Sequence, residues 1–334
     1  MKYLFAITLA LFGSILGLTN IEQSNADIDF GNESSVNINE VDAFTNVVIF
    51  IRFADEGTYT APHSFSFYLD LLNGVDKVSL RDYYLEVSYG QLDITSYLVS
   101  ENLNIIYYTD TENRSYFEPY DETNNPLGYN EGQQDDREHA LLKRAIDYVE
   151  DNNLVPDDLV LDANDDGDID SITFMVSGED NGWNSLLWPH KWSLSTYYDF
   201  NNDEYLSNAP MINGKYAYTY TLELLGDNAS YYYAVDVGVL AHETFHLISA
   251  PDLYHYYDYD WIDAVGDWGL MDNVGTVPSH MLGYMKYTYG NWITSVDEIN
   301  TSGTYTLYPI RDNGENLYRI NTNYSNEYIY LEYR

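Results

Sequence analysis

Cysteine is absent from the 334 residues, and positive charge is scarce, with 14 Lys+Arg against 54 Asp+Glu and a formal net charge of −40. Without thiols there is no disulfide scaffold, thiolate zinc ribbon, iron–sulfur site or cysteine nucleophile. Any metal must therefore sit on His, Asp or Glu. Phosphate binding needs clustered Lys and Arg, and here the basic residues are scattered apart from Arg137, Lys143 and Arg144, so a nucleic-acid partner is excluded. After the first twenty residues no apolar run reaches membrane length. Acidity on this scale accompanies disorder when hydrophobicity is low, but 45% of this chain is hydrophobic and 16% aromatic, so it is expected to fold.

What is present begins with an address. Met1-Lys2 is a minimal positive start, and Tyr3 to Leu18 is almost continuously apolar, at about 16 residues short of the roughly 20 a membrane span needs. A cleaved secretory signal over residues 1–26 is the expectation, with small residues at Ser24 and Ala26 before the cleavage point; the alternative is a membrane anchor. The mature protein is then secreted and extracellular, with no membrane attachment. Residues 27–43 are polar and acidic and read as a linker or short pro-segment.

Asn46 to Phe53 (NVVIFIRF) is a β-branched run that predicts a buried strand. Ser79 caps a helix over LRDYYLEVSY with Gly90 past its end, and Leu92 to Val99 reads as a strand. Asp135 to Asn152 has apolar residues at helical spacing behind an acidic start. Strand-like runs follow at 159–161 and 171–176, and Pro278 opens a helix that Gly290 ends. Interleaved strands and helices favour a layered α/β or α+β domain.

Val235 to Ser249 (VDVGVLAHETFHLIS) predicts an amphipathic helix carrying His242-Glu243-Thr244-Phe245-His246. The HExxH spacing sets two imidazoles one turn apart on one face, where both reach a single zinc ion, with Glu243 beside them to hold a water. Chance would produce such a match roughly 0.02 times in a chain of this composition, which favours a zinc site. Asp252 stands ten residues after His242, where the extended HExxHxxGxxH/D pattern has its third ligand; Pro251 stops the helix so that the chain turns back. His255 is the rival ligand.

A second candidate site is Asp162, Asn164, Asp166, Asp168 and Asp170. Oxygens at alternate positions around Gly167 resemble the first nine positions of a calcium loop, but position twelve is Thr173 rather than Glu. Calcium is the preferred reading, because clustered carboxylates repel one another without a cation. A solvated acidic turn is the alternative.

Taken together these residues resemble the immune inhibitor A type of secreted bacterial zinc metallopeptidase, a metzincin-like family. The resemblance rests on NVVIFIRFAD (46–55), SLRDYYLEVSYGQL (79–92), LDANDDGDID (161–170), WPHKW (188–192), HETFHLISAPDLY (242–254) and the stretch from Gly269-Leu270-Met271 to Trp292, so it covers roughly residues 45–334. It implies an α+β fold with a twisted mixed sheet, an active-site helix and a Met-turn at Met271, spanning residues 44–293, followed over 294–334 by the start of a β-rich region. Ser249 stands where the family has Gly at a turn with positive φ. Asn273 stands where many metzincins carry an oxyanion-supporting Tyr, so no such donor is assigned; His190, His255 and His280, which could support the site from outside the ligand set, are expected to be structural or on the surface.

The implied activity is hydrolysis of peptide bonds in extracellular proteins, with zinc on His242, His246 and Asp252 activating a water and Glu243 as general base. The alternatives are a catalytically silent, metal-stabilised adhesion or binding module of the same fold, or a cutting or anchoring portion whose biological role lies in a continuation of the chain.

Overall fold

The run FTNVVIFIR forms strand β1 (Phe44–Arg52), buried along nearly its whole length. The computed structural model describes residues 44–179, 186–226, 235–255, 263–314, 316–325 and 327–334. The expected signal segment 1–26 and the polar stretch 27–43 lie outside these residues.

Helices α1 (Phe65–Asn73) and α2 (Leu80–Val87) follow, each opened by a serine whose hydroxyl accepts a first-turn N–H: Ser64 from Phe67 and Ser79 from Asp82. Strand β2 (Ile94–Leu98), the short β3 (Tyr107–Thr109), helix α3 (Gln134–Asp151) and strands β4 (Ser171–Val176), β5 (His190–Ser193) and β6 (Thr219–Leu224) complete the main sheet. Its order is β2–β1–β4–β6–β5, with β3 also on β1. All pairings are parallel except β5 on β6. A parallel strand inside such a sheet is covered on both faces, which is why β1 is apolar at successive positions instead of alternating.

Each face builds its own core. Val47, Ile49 and Ile51 point with Ile172, Phe174, Tyr220 and Leu222 towards Leu141, Leu142, Ala145 and Ile146 of α3. Val48, Phe50, Met175 and Leu225 point the other way, against α1, α2 and helix α4 (Val237–His246). On that second face a row of polar side chains crosses the sheet: Asn46 donates to Ser96, Thr173 donates to Asn46, and Thr173 and Thr221 bond each other at 2.9 Å. Buried hydroxyls and amides linked in this way leave few orphaned groups.

Helix α5 (Gly283–Thr288) and a small sheet of β7 (Asp297–Glu298), β8 (Leu317–Asn321) and β9 (Tyr328–Glu332), in that order, close the described chain. The expected helix from Pro278 is shorter than its sequence pattern. The Ser279 carbonyl accepts the Tyr83 hydroxyl instead, and the helix begins at Gly283, whose N–H donates to the Glu332 carboxylate at 2.5 Å. A carboxylate there also suits the positive end of the helix. Lys286 is fully buried, donating to the Ile310 carbonyl and lying 4.1 Å from the Tyr89 ring centre. Burial pushes its pKa down to about 7. The strand expected at 159–161 does not form: Val160 is exposed and Leu161 packs into the α3 core from irregular backbone. None of the helices among the described residues is long and apolar enough to cross a membrane.

The architecture is therefore α+β with a mixed sheet, and α4 is laid against its second face.

Candidate metal centre

Helix α4 starts at Asp236, whose carboxylate accepts the Val239 N–H at 3.0 Å. Gly238 in its first turn sits against the loop that returns beneath the helix, and a Cβ there would lie 1.8 Å from the Gly275 carbonyl oxygen. The helix ends at His246, and the chain reverses through Ser249, which adopts φ 64°. This is the left-handed conformation in which glycine is least strained, and serine adopts it at a cost of about 1 kcal/mol. Pro251 then bars a return to helix.

The reversal brings Asp252 back to the two histidines. Its Oδ1 lies 2.9 Å from His242 Nε2 and 3.3 Å from His246 Nε2, and the two Nε2 atoms are 3.2 Å apart. Among the described residues this is the one group of His, Asp and Glu whose ligand atoms converge closely enough to hold an ion. His255, the rival ligand, is exposed and outside the group.

The far nitrogens explain why the near ones converge. His242 Nδ1 donates to the Leu270 carbonyl at 3.0 Å, and His246 Nδ1 donates to the Ala250 carbonyl at 2.6 Å. With Nδ1 protonated and held, each neutral ring turns an Nε2 lone pair towards the carboxylate. Backbone carbonyls commonly fix metal-binding histidines in this way. Three lone-pair donors facing one point repel one another unless a positive charge sits among them, so the residues fit a divalent cation. Burial opposes a charge on His242, but Asp252, Glu243 and the Leu270 carbonyl outweigh it and raise its pKa. A proton is thus the smallest cation this site attracts.

Glu243 is buried beside His242 on α4. Met271 is buried in the turn after Leu270, and its carbonyl accepts the Leu253 N–H at 2.7 Å, tying the Asp252 segment to the loop that orients His242. Asn273 donates to Asp267 within the same loop.

The other histidines take no part in the group. His190 donates from Nε2 to the buried Glu138 at 3.0 Å, and Glu138 also accepts the Tyr220 hydroxyl. Burial works against the His190 charge, but Glu138 prevails and pushes its pKa up to about 9. His280 is pushed down to about 4, chiefly by burial. Sequence reasoning missed the two carbonyls that orient the ring nitrogens, and also Tyr254, whose ring stacks on His242 at 6.3 Å. A carbonyl carries no residue-type signal, but a Tyr two places after Asp252 was visible.

The acidic loop behaves differently. Asp162 accepts from the Asp166 and Gly167 amides and from Lys215 Nζ at 2.6 Å. Asn164 donates to Asp166, Asp166 accepts the Asp168 N–H, Asp168 accepts the Tyr205 hydroxyl, and Asp170 accepts the Thr45 and Ala163 amides. The carboxylates of the calcium reading do not converge as the triad does, and in this structure they accept from donors within the fold.

No protein-family model matches the chain, and a search of curated proteins finds no match either.

Proposed function

We propose that the chain is a zinc-dependent endopeptidase of metzincin type, resembling the immune inhibitor A family, exported to act on extracellular proteins. The observation that carries this reading is the convergence of His242, His246 and Asp252 with both Nδ1 atoms already bonded away from the centre. A site built only to stiffen the fold would need those ligands but no acid beside them, and Glu243 supplies one. Support comes also from the left-handed Ser249, from the buried Met271 turn under the site and from the mixed sheet with its antiparallel edge strand β5.

Zinc bound by these three side chains would lower the pKa of a water and polarise the scissile carbonyl. The protein supplies the rest. His242 and His246 offer Nε2, and their Nδ1–H bonds keep the rings from turning. Glu243 accepts one proton from the attacking water and passes it to the leaving amine nitrogen as the C–O bond forms and the C–N bond breaks.

The test measures zinc per chain together with casein cleavage, with and without chelator, for wild type and Glu243→Ala. The expected result is about one zinc per chain in both proteins and chelator-sensitive cleavage that Glu243→Ala lowers by roughly 10²- to 10⁴-fold, the range of general base catalysis. Zinc-loaded wild type without such cleavage would leave a silent metal-stabilised module as the answer.

A further inference from the structure

Strand β6 alternates so that Tyr220, Leu222 and Leu224 meet the α3 core while Glu223 and Leu225 turn to the α4 side. Glu223 is 1% exposed, and its Oε1 has no hydrogen-bond partner among the described residues. An orphaned oxygen at this depth is costly unless it has work to do. Across from it α4 carries Asp236 and, seven residues on, Glu243. Asp236 is the extended cap residue of the helix, and Glu243 lies in its last turn. Both are among the charges acting on Glu223.

A carboxyl as deeply buried as Glu223, facing a helix that carries two more, is disfavoured in its ionised form. Asp236 already accepts an N–H at the helix start, and Glu243 keeps some contact with solvent at 7% exposure. Glu223 is the most buried of the three. Burial first, and then Glu243 and Asp236, drive its acid form to persist far above the ordinary carboxylate range.

We propose that Glu223 is a positioning residue for Glu243, its carboxyl group supplying the O–H donor that holds the Glu243 carboxylate in one orientation beside the metal triad, directly or through one water. The role rests on the peptidase reading for what Glu243 does. It adds a hydrogen-bonded support behind the base, of the kind that keeps a reactive group in register.

Two variants and one spectroscopic measurement test it. Glu223→Gln keeps a neutral donor, and Glu223→Met keeps the volume without one. Glu223→Met is expected to lower kcat about tenfold to hundredfold, the scale of one hydrogen bond to a charged group, with KM and zinc content unchanged. Glu223→Gln is expected to restore kcat to within about threefold of wild type. Wild-type kcat in Glu223→Met overturns the inference, as does a Glu223→Gln variant as slow as Glu223→Met. The difference infrared spectrum of metal-free wild type minus Glu223→Gln at neutral pH is expected to contain the C=O stretch of a protonated carboxyl. A carboxylate band in its place also overturns the inference, even where Glu223→Met does not fold. Failure of the peptidase reading looks different: zinc-loaded wild type cuts nothing, while the infrared band still decides whether Glu223 holds a proton.

Discussion

The triad at His242, His246 and Asp252 and the acidic loop from Asp162 to Asp170 are both collections of metal-binding residue types, yet they solve the problem of charge in opposite ways. In the triad the ligand atoms that face the centre are acceptors, and the histidine donors point outwards to the Leu270 and Ala250 carbonyls. In the loop the carboxylates accept from backbone amides, a tyrosine hydroxyl and the Lys215 ammonium. The loop's carboxylates are met by donors within the fold, whereas both histidines of the triad send their Nδ1 donors away from the centre, which is the arrangement a bound cation favours.

Removing a ligand from each cluster should separate them most sharply. Asp252→Ala is expected to weaken zinc binding by more than the ten- to hundredfold typical of losing an outer hydrogen-bond partner, whereas Asp162→Asn should leave zinc affinity unchanged. Competition with a chromophoric chelator measures both, and equal losses in the two variants would erase the distinction. A smaller effect is expected at Lys215. Wild type should melt at the same temperature in calcium and in EGTA, and Lys215→Met should melt lower and regain stability on adding calcium. A wild-type midpoint that falls in EGTA would return the loop to calcium.

The smallest effect concerns pH. Burial pushes Asp168 and Asp170 up to about 6. A folded pKa above the unfolded value of about 4 contributes stability that is complete below that value and is lost as pH rises through about 6. Metal-free wild type should therefore shed some thermal stability between pH 4 and 7, and Asp168→Asn should flatten that part of the curve. A melting profile identical in the two proteins would mean that the loop carboxyls are not held as described.

The difference between the clusters also marks what the sequence made legible. Two histidines four apart on an apolar helix state their geometry through helical periodicity alone. Asp252 followed from its place ten residues after His242 in the extended pattern, with Pro251 to stop the helix, and the φ of 64° at Ser249 agrees with the turn expected there. The acidic loop offered oxygens at the right spacing, but the lysine that answers them lies 53 residues downstream of Asp162 on a separate hairpin, and no local pattern points to it. Glu223 was hidden for a related reason. In TYTLEL it reads as the polar, outward member of an alternating strand, and only the presence of α4 over that face turns it into a buried acid. The strand expected at 159–161 failed in the opposite sense, since Leu161 fills the core from irregular backbone and Val160 stays exposed, so the apolar triplet joins no ladder.

Gly238 has no chemistry of its own, yet the fold gives it leverage over the centre. A methyl group there would meet the Gly275 carbonyl and wedge the helix from the returning loop, and that loop carries the Leu270 oxygen on which the His242 tautomer depends. With the loop displaced, the proton of His242 would be free to change nitrogens, and the lone pair now turned towards Asp252 would face away from the centre. Selection on the geometry of the triad would therefore be felt at a position one helical turn from His242, as intolerance of a single carbon atom.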